Sequence, residues 1–421
     1  MKHTLKLLTT AAIMSLAAGS ASAQVLFWST QANPVEEQQK MREQVLAGFE
    51  GDVDFQPQDP GPFTTRLQAE IEAGSGQIGV VGALHGDLAT YAANWADLSD
   101  VDLSGINVSP AFMELGKLGT DEQKYLPWMQ ATYVMAANKK ALEFLPEGVD
   151  INAMTYDELI AWSKNVAEAT GSPKFGFPAG PKGLKHRFFQ GFLLPAYTGS
   201  TVTKFRSDEA ETAWNVFKDL WTYTNPASTN YSFMQEPLLT GDVWIAFDHI
   251  ARLADAFNQM PDDFVAFPAP AGPKGRAFMP VLAGVAVPMG APDMAASKAL
   301  AAYMMQPSTQ VATLLATNFF PVTDAALPAD LPAAIRTLGP AVTAMTSASD
   351  ALPALLPVGL GELGGKFSQT YTDTFERIVL ANQDVRQVLD QQAETLRGIM
   401  VEANAPCWLP DAASDGPCPV D

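Results

Sequence analysis

The tightest constraint on the fold lies in residues 25–87, where short apolar runs alternate with amphipathic stretches. VLFWST opens as a run suited to a buried strand, and PVEEQQKMREQVLAGFEG follows with Val35, Met41, Val45, Leu46 and Phe49 at helical spacing. VDFQPQ reads as a second strand and TTRLQAEIEAGSG as an amphipathic helix closed by glycines. IGVVGALHGD is a continuous apolar run, the pattern of a parallel strand covered on both faces. Strand, helix, strand, helix, strand is the βαβ signature, so the fold class is α/β.

The alternation continues less regularly. YLPWMQATYVMAANKKAL is a further apolar run, and TYDELIAWSKNVAEATG carries Thr155 and Glu158 at capping-box spacing for the next helix. KFGFPA is a strand candidate, GLKHRFFQGFLLPAYTG a helix, and SDEAETAWNVFKDLWTYT an amphipathic helix. In GDVWIAFDHIARLADAFNQM a strand runs straight into a helix. DDFVAFPAPAGPKGRAFMPVLAGVAVPMG is strand-like and broken by Pro and Gly turns. Helices are expected near Met294–Met305 and Thr309–Thr317, and the last third reads as largely helical. GPKG occurs twice, at 180–183 and 272–275, but neither copy has the frame of a phosphate-binding loop.

The first 23 residues read as an export address. Lys2 and Lys6 form a positive start, Leu7 to Ala18 is a short apolar core, and Ala21-Ser22-Ala23 is an A-x-A cleavage site. A membrane anchor needs about 20 apolar residues, and this core falls short. The expected mature chain starts at Gln24, leaving 421 − 23 = 398 residues, enough for two hydrophobic cores. Its expected location is the periplasm. The formal charge of −20 becomes −22 without Lys2 and Lys6, which disfavours nucleic-acid and membrane-surface roles. Cys407 and Cys418 lie in the tail PCWLPDAASDGPC, where an oxidising compartment favours a local bridge. No His lies near either, so no metal site is expected.

Four segments resemble the large family of extracellular solute-binding proteins that includes the maltose-binding protein: WSTQ at 28–31, DPGPFTTRLQAEIEAGSG at 59–76, PWMQATYVMAANKKAL at 127–142 and VLAGVAVP at 281–288. Their order and spacing span nearly all of the mature chain. The resemblance implies a two-lobed periplasmic binding protein fold: two α/β domains joined by hinge crossings, with the ligand cleft between them. Lobe one would hold residues 24–135 plus 283–321, and lobe two residues 136–282 plus 322–421. It further implies the solute-binding component of an ABC-type importer, a monomer that hands a carbohydrate to an inner-membrane permease and needs no cofactor. The sequence departs from the family pattern at Gln77-Ile78-Gly79, which replaces the usual Pro-Asp, and at Ala137, where a Tyr is expected.

Sugar recognition needs flat apolar faces for ring C–H groups and charged or amide groups for hydroxyls. Trp28 and Gln31, where the first strand meets its helix, are candidates, against a plain core role for Trp28. Asp248, His249 and Arg252 follow the apolar run VWIAF, so ligand or an internal Asp248–Arg252 pair must satisfy them. His186 and Arg187 open a helix that the resemblance places beside the cleft. Trp128 and Tyr133, in the first crossing segment, are candidates to stack on a ring or brace the hinge. Gly284 admits close backbone approach to ligand or a tight turn. Asp59 and Phe63 precede the second helix. His85 and Asp87 end the third strand, Asp87 being equally a helix N-cap.

Two other functions fit less well. An exported glycosidase would need paired carboxylates in a catalytic frame, and neither HExxH nor GxSxG occurs. A structural or adhesive protein would need no polar groups at strand ends. Within solute binding, His186, Arg187, His249 and Arg252 keep open an anionic sugar derivative, such as a sugar acid or a sulfonated or phosphorylated sugar, behind a neutral sugar, glycoside or polyol.

Overall fold

The computed structural model describes residues 24–421, so the export leader read from residues 1–23 lies outside the described residues. In chain order the strands are β1 (Val25–Ser29), β2 (Val53–Pro57), β3 (Ile78–Leu84), β4 (Leu126–Ala131), β5 (Tyr133–Asn138), β6 (Phe175–Gly176), β7 (Ile245–His249), β8 (Phe264–Phe267), β9 (Arg276–Phe278), β10 (Val281–Ala286) and β11 (Ala351–Pro353). They form a five-stranded sheet of order β2-β1-β3-β10-β4, a four-stranded sheet of order β6-β7-β5-β8, and a small β9–β11 pair.

The first sheet begins as the apolar runs predict. Every residue of β1 is buried, and β2 and β3 flank it in parallel, which requires a covered crossover on each side. The helix Pro60–Ala73 supplies the second crossover, with Pro60 pre-set for a first helical turn and Gly74 in the left-handed conformation closing it. β10 then enters antiparallel between β3 and β4. Phe27, Phe55, Phe63, Trp95 and Trp128 fill the core of this lobe. The helices Met294–Met304 and Pro307–Thr317 return to pack on it.

The second lobe is organised around one ring. Phe247, on β7, stacks on Tyr133 with centroids 5.5 Å apart and meets Phe188 and Phe192 edge-on at 4.7 and 4.9 Å. Edge-to-face rings add roughly 1 kcal/mol each beyond their burial, so this cluster fixes β7 against the helical turns at 185–198. Thr155 and Glu158 close a reciprocal capping box on the helix Tyr156–Thr170. The long helix Val385–Ala403 buries Leu389, Leu396 and Met400 in the same core. β11 was not evident from sequence: Pro353 and Ala351 carry no strand pattern, and the segment pairs only because it lies along β9.

Three chain crossings join the lobes side by side. Thr132 separates β4 from β5, and its Oγ1 donates to Met279 O at 2.9 Å, just before β10. Gln130 and Phe320 exchange both backbone hydrogen bonds, at 2.9 and 2.6 Å, tying the third crossing to the first.

The tail is fastened twice. Cys407 and Cys418 are bridged, with Cα atoms 4.5 Å apart. Between them Asp411, buried, accepts from the backbone N–H groups of Thr201, Val202 and Thr203 at 2.8, 3.0 and 2.9 Å and from the hydroxyls of Ser200 and Thr203. Asp411 therefore holds the 200–203 turn in place. Asp411→Asn replaces one acceptor oxygen by a donor facing these N–H groups, and should lower unfolding free energy by about 2–4 kcal/mol, read from the urea midpoint at constant m-value.

Candidate functional site

A cavity of about 870 Å³ opens between the lobes. Its first wall is the helix Pro60–Ala73, with Thr64, Gln68 and Glu72 and the edge of the buried Phe63, continued after β3 by Leu84, Gly86, Asp87, Thr90 and Tyr91. The opposite wall comes from Arg187 and from the segment Leu356–Ser368. The volume lies within the roughly 300–1,000 Å³ typical of small-molecule sites. Aromatic surface is scarce there: of the two rings among the lining residues, Tyr91 is half-buried and Phe63 is a core side chain.

The lobes meet at the edge of this cavity. A Cβ on Gly86 would lie 2.1 Å from the carbonyl oxygen of Pro357, and one on Gly361 would touch Thr90 at 3.9 Å. Gly86 is thus a point of backbone contact across the cleft, and glycine is what permits it.

Asp87 and Arg187 face the cavity from opposite walls. Asp87 is open to the cavity but enclosed by both lobes. That enclosure raises its pKa, against the pull of the Arg187 charge and a backbone hydrogen bond near Leu84. Burial lowers the pKa of Arg187, while Tyr133 and Asp87 act in the other direction. Arg187 Nη1 is buried without a hydrogen-bond partner. Asp87 is the third residue of the helix His85–Thr90, whose N-cap is Leu84, so it does not cap that helix.

Of the fourteen residues singled out from sequence, Phe63, Asp87 and Arg187 line this cavity. Trp28 is buried in the first core, its Nε1 donating to Phe63 O at 3.2 Å and Arg66 lying over its ring at 4.7 Å. Gln31 bonds to Thr30 Oγ1 at 2.9 Å, and Asp59 accepts from Asn33 at 2.8 Å. Trp128 is fully buried against Phe27 at 5.4 Å. Beside Gly284 the space is taken by the Tyr125 ring, 2.1 Å from an added Cβ, so this glycine packs a core aromatic.

His85 in the first lobe and Asp248 and His249 at the end of β7 in the second are buried polar residues. His85 Nδ1 bonds to Tyr125 Oη at 2.8 Å, and burial pulls its pKa down to about 4. Asp248 has no exposed surface. It accepts from Met234 N and His249 N at 2.9 and 2.7 Å, and burial pushes its pKa up to about 7 against Arg252 and those two N–H groups. Arg252 instead donates to Lys182 O and Ser232 O, both at 3.3 Å, and covers Phe233, so no internal Asp248–Arg252 ion pair forms. His249 caps the following helix and meets Tyr133 at 5.1 Å and Phe319 at 5.5 Å. Burial brings His249 and the half-buried His186 down to about 3, and raises Tyr133 to about 12.

The wall from 356 to 368 was not among the sequence candidates. Its mark is GLGELGG, four glycines in seven residues at 359–365, where the chain passes close to the other lobe. Tyr91, Gln68, Glu72 and Glu362 were also missed, because polar residues on an exposed helix face look like ordinary solvated surface. Among the described residues no cluster of three or more His, Cys, Asp or Glu could hold a metal, and no helix is long and apolar enough to cross a membrane.

Two α/β lobes, three crossings and an interlobe cavity define the class of two-lobed solute-binding proteins. The family model for bacterial extracellular solute-binding proteins matches residues 40–337, and the chain belongs to that family. Among curated protein sequences none matches. Solved structures share the fold at low identity. The sugar-binding protein MalE from Xanthomonas citri superposes with a TM-score of 0.71 at 15% identity, covering 89% of this chain and 97% of that one. The GacH receptor of Streptomyces glaucescens gives 0.68 at 18%, covering 89% and 98%. UgpB from Mycobacterium tuberculosis gives 0.69 at 17%, covering 90% and 98%.

Two measurements probe this geometry. Gly86→Ala should hold the lobes apart through the Pro357 carbonyl while leaving each lobe folded, since alanine is otherwise the better helix residue. A larger radius of gyration by small-angle scattering is expected, and a curve identical to wild type would refute the contact. His85→Gln keeps a polar partner for Tyr125 but cannot titrate. Because folded His85 stays neutral to about 4 while the unfolded side chain protonates near 6.5, its contribution is lost as pH falls through that window. Wild type should therefore lose about 2 kcal/mol more than the variant between pH 7.5 and 4.5, measured by urea unfolding at both pH values.

Proposed function

We propose that this protein is the periplasmic solute-binding component of an ABC-type importer, capturing a carbohydrate and presenting it to the membrane permease. The observation that carries the reading is the interlobe cavity, walled by hydroxyl, amide and charged groups from both lobes in a fold whose family binds extracellular solutes. Relatives in fold include a maltose-bound MalE3 and GacH in complex with acarbose, which supports a sugar, glycoside or polyol here.

The mechanism follows from the crossings. A solute touching both walls stabilises the closed arrangement because only that arrangement offers both sets of contacts. The lobes rotate about Thr132, Met279 and Phe320 as a hinge, and the permease reads the closed shape. The protein acts as a monomer, without cofactor, metal or catalytic step. A second reading, an anionic sugar derivative, is favoured by the unpartnered Arg187 and opposed by the carboxylates around it.

A thermal-shift screen of the chain from Gln24 onward against neutral sugars, polyols and sugar acids tests this. A ligand at 100 times its Kd adds about 2.7 kcal/mol to folding stability, so a rise in Tm of several degrees is expected with at least one compound. No shift anywhere in the panel would refute carbohydrate capture.

A further inference from the structure

Asp87 and Arg187 project into the same cavity from different lobes. Each shifts the ionisation of the other, so they sense one another across the gap, yet no ion pair joins them. Glu72 and Glu362 line the same walls, and Asp87 and Glu362 both act on Tyr91. Three carboxylates thus share the cavity with one guanidinium.

This charge pattern selects among solutes. A carboxylate or phosphate seated on Arg187 would face Asp87 directly, in a confined space where like charges repel more strongly than in water. A hydroxyl both donates and accepts. One hydroxyl pair can therefore donate to Asp87 and accept from Arg187 at once, leaving neither charge unsatisfied and joining the lobes through the ligand.

We infer that Asp87 and Arg187 are the specificity-determining pair of the cleft, bridged by adjacent hydroxyls of an uncharged polyhydroxylated solute, and that Asp87 is the group that rejects anionic sugar derivatives. The inference rests on the solute-capture reading and narrows it. It assigns Asp87 as a discriminating residue whose removal changes the ratio of affinities rather than merely their size.

Isothermal titration calorimetry with matched probes tests it: glucose against glucuronate, galactose against galacturonate, and maltose against maltobionate. Wild type should bind the neutral member of at least one pair about tenfold or more tightly than its acid. Asp87→Asn, close in shape, should weaken that neutral member about tenfold, the loss expected for a hydrogen bond to a charged group. It should also narrow the neutral-to-acid ratio about fivefold. A residue that only braced the wall would weaken both members alike and leave the ratio unchanged, which overturns the assignment. Asp87→Ser carries the same expectation should Asp87→Asn fail to fold. Preference for an acid in wild type would overturn the inference and leave solute capture standing. Failure of every probe to bind, with a neutral compound active in the wider thermal-shift panel whose affinity Asp87→Asn leaves unchanged, would overturn the inference and leave solute capture standing.

Discussion

The arrangement of the two lobes depends on a narrow strap of hydrogen bonds between chain crossings. Gln130 and Phe320 exchange backbone bonds, Gln130 Nε2 reaches Pro321 O at 2.9 Å, and Thr132 bonds to Met279 O. These contacts are local and directional, whereas the two cores on either side are extensive and apolar. Packed cores resist continuous deformation, so each lobe is a stiff unit and the strap is the thinnest connection between them. The strap keeps the three crossings in register with one another.

The positions of Asp87 and Arg187 follow from that arrangement. Asp87 stands just beyond β3, and β3 is paired with β10, which follows directly from a crossing. Arg187 belongs to the turn that Phe188 and Phe192 pin onto Phe247 of β7. Each charge is mounted beside the packed core of its own lobe.

The fold was legible in the sequence where burial and period agree. VLFWST and IGVVGALHGD became β1 and β3 because uninterrupted apolar runs have few alternatives inside a covered sheet. The capping box at Thr155 formed as its spacing implies. The cavity was harder to read. Trp28 and Trp128 look like sugar platforms in sequence, but both sit within the first core, and nothing local distinguishes a buried Trp from a cleft Trp. The wall at 356–368 reaches its partner across more than 260 residues of chain, and the contact of Gly86 with Pro357 exists only in three dimensions. Glycine density at 359–365 was the one local sign.

The polar groups of the second lobe differ in how far the protein itself satisfies them. Asp248 spends its oxygens on backbone N–H groups, and His249 uses its ring nitrogen to cap a helix. Arg252 is committed to two carbonyls and the Phe233 face. These groups are satisfied within the protein, so a solute gains little by approaching them. Arg187 has no such commitment: its Nη1 is buried without a hydrogen-bond partner, and a half-buried guanidinium without partners is costly. One unmet demand for hydrogen-bond acceptors is thereby left at the wall of the cavity, and the proposed solute capture rests on it.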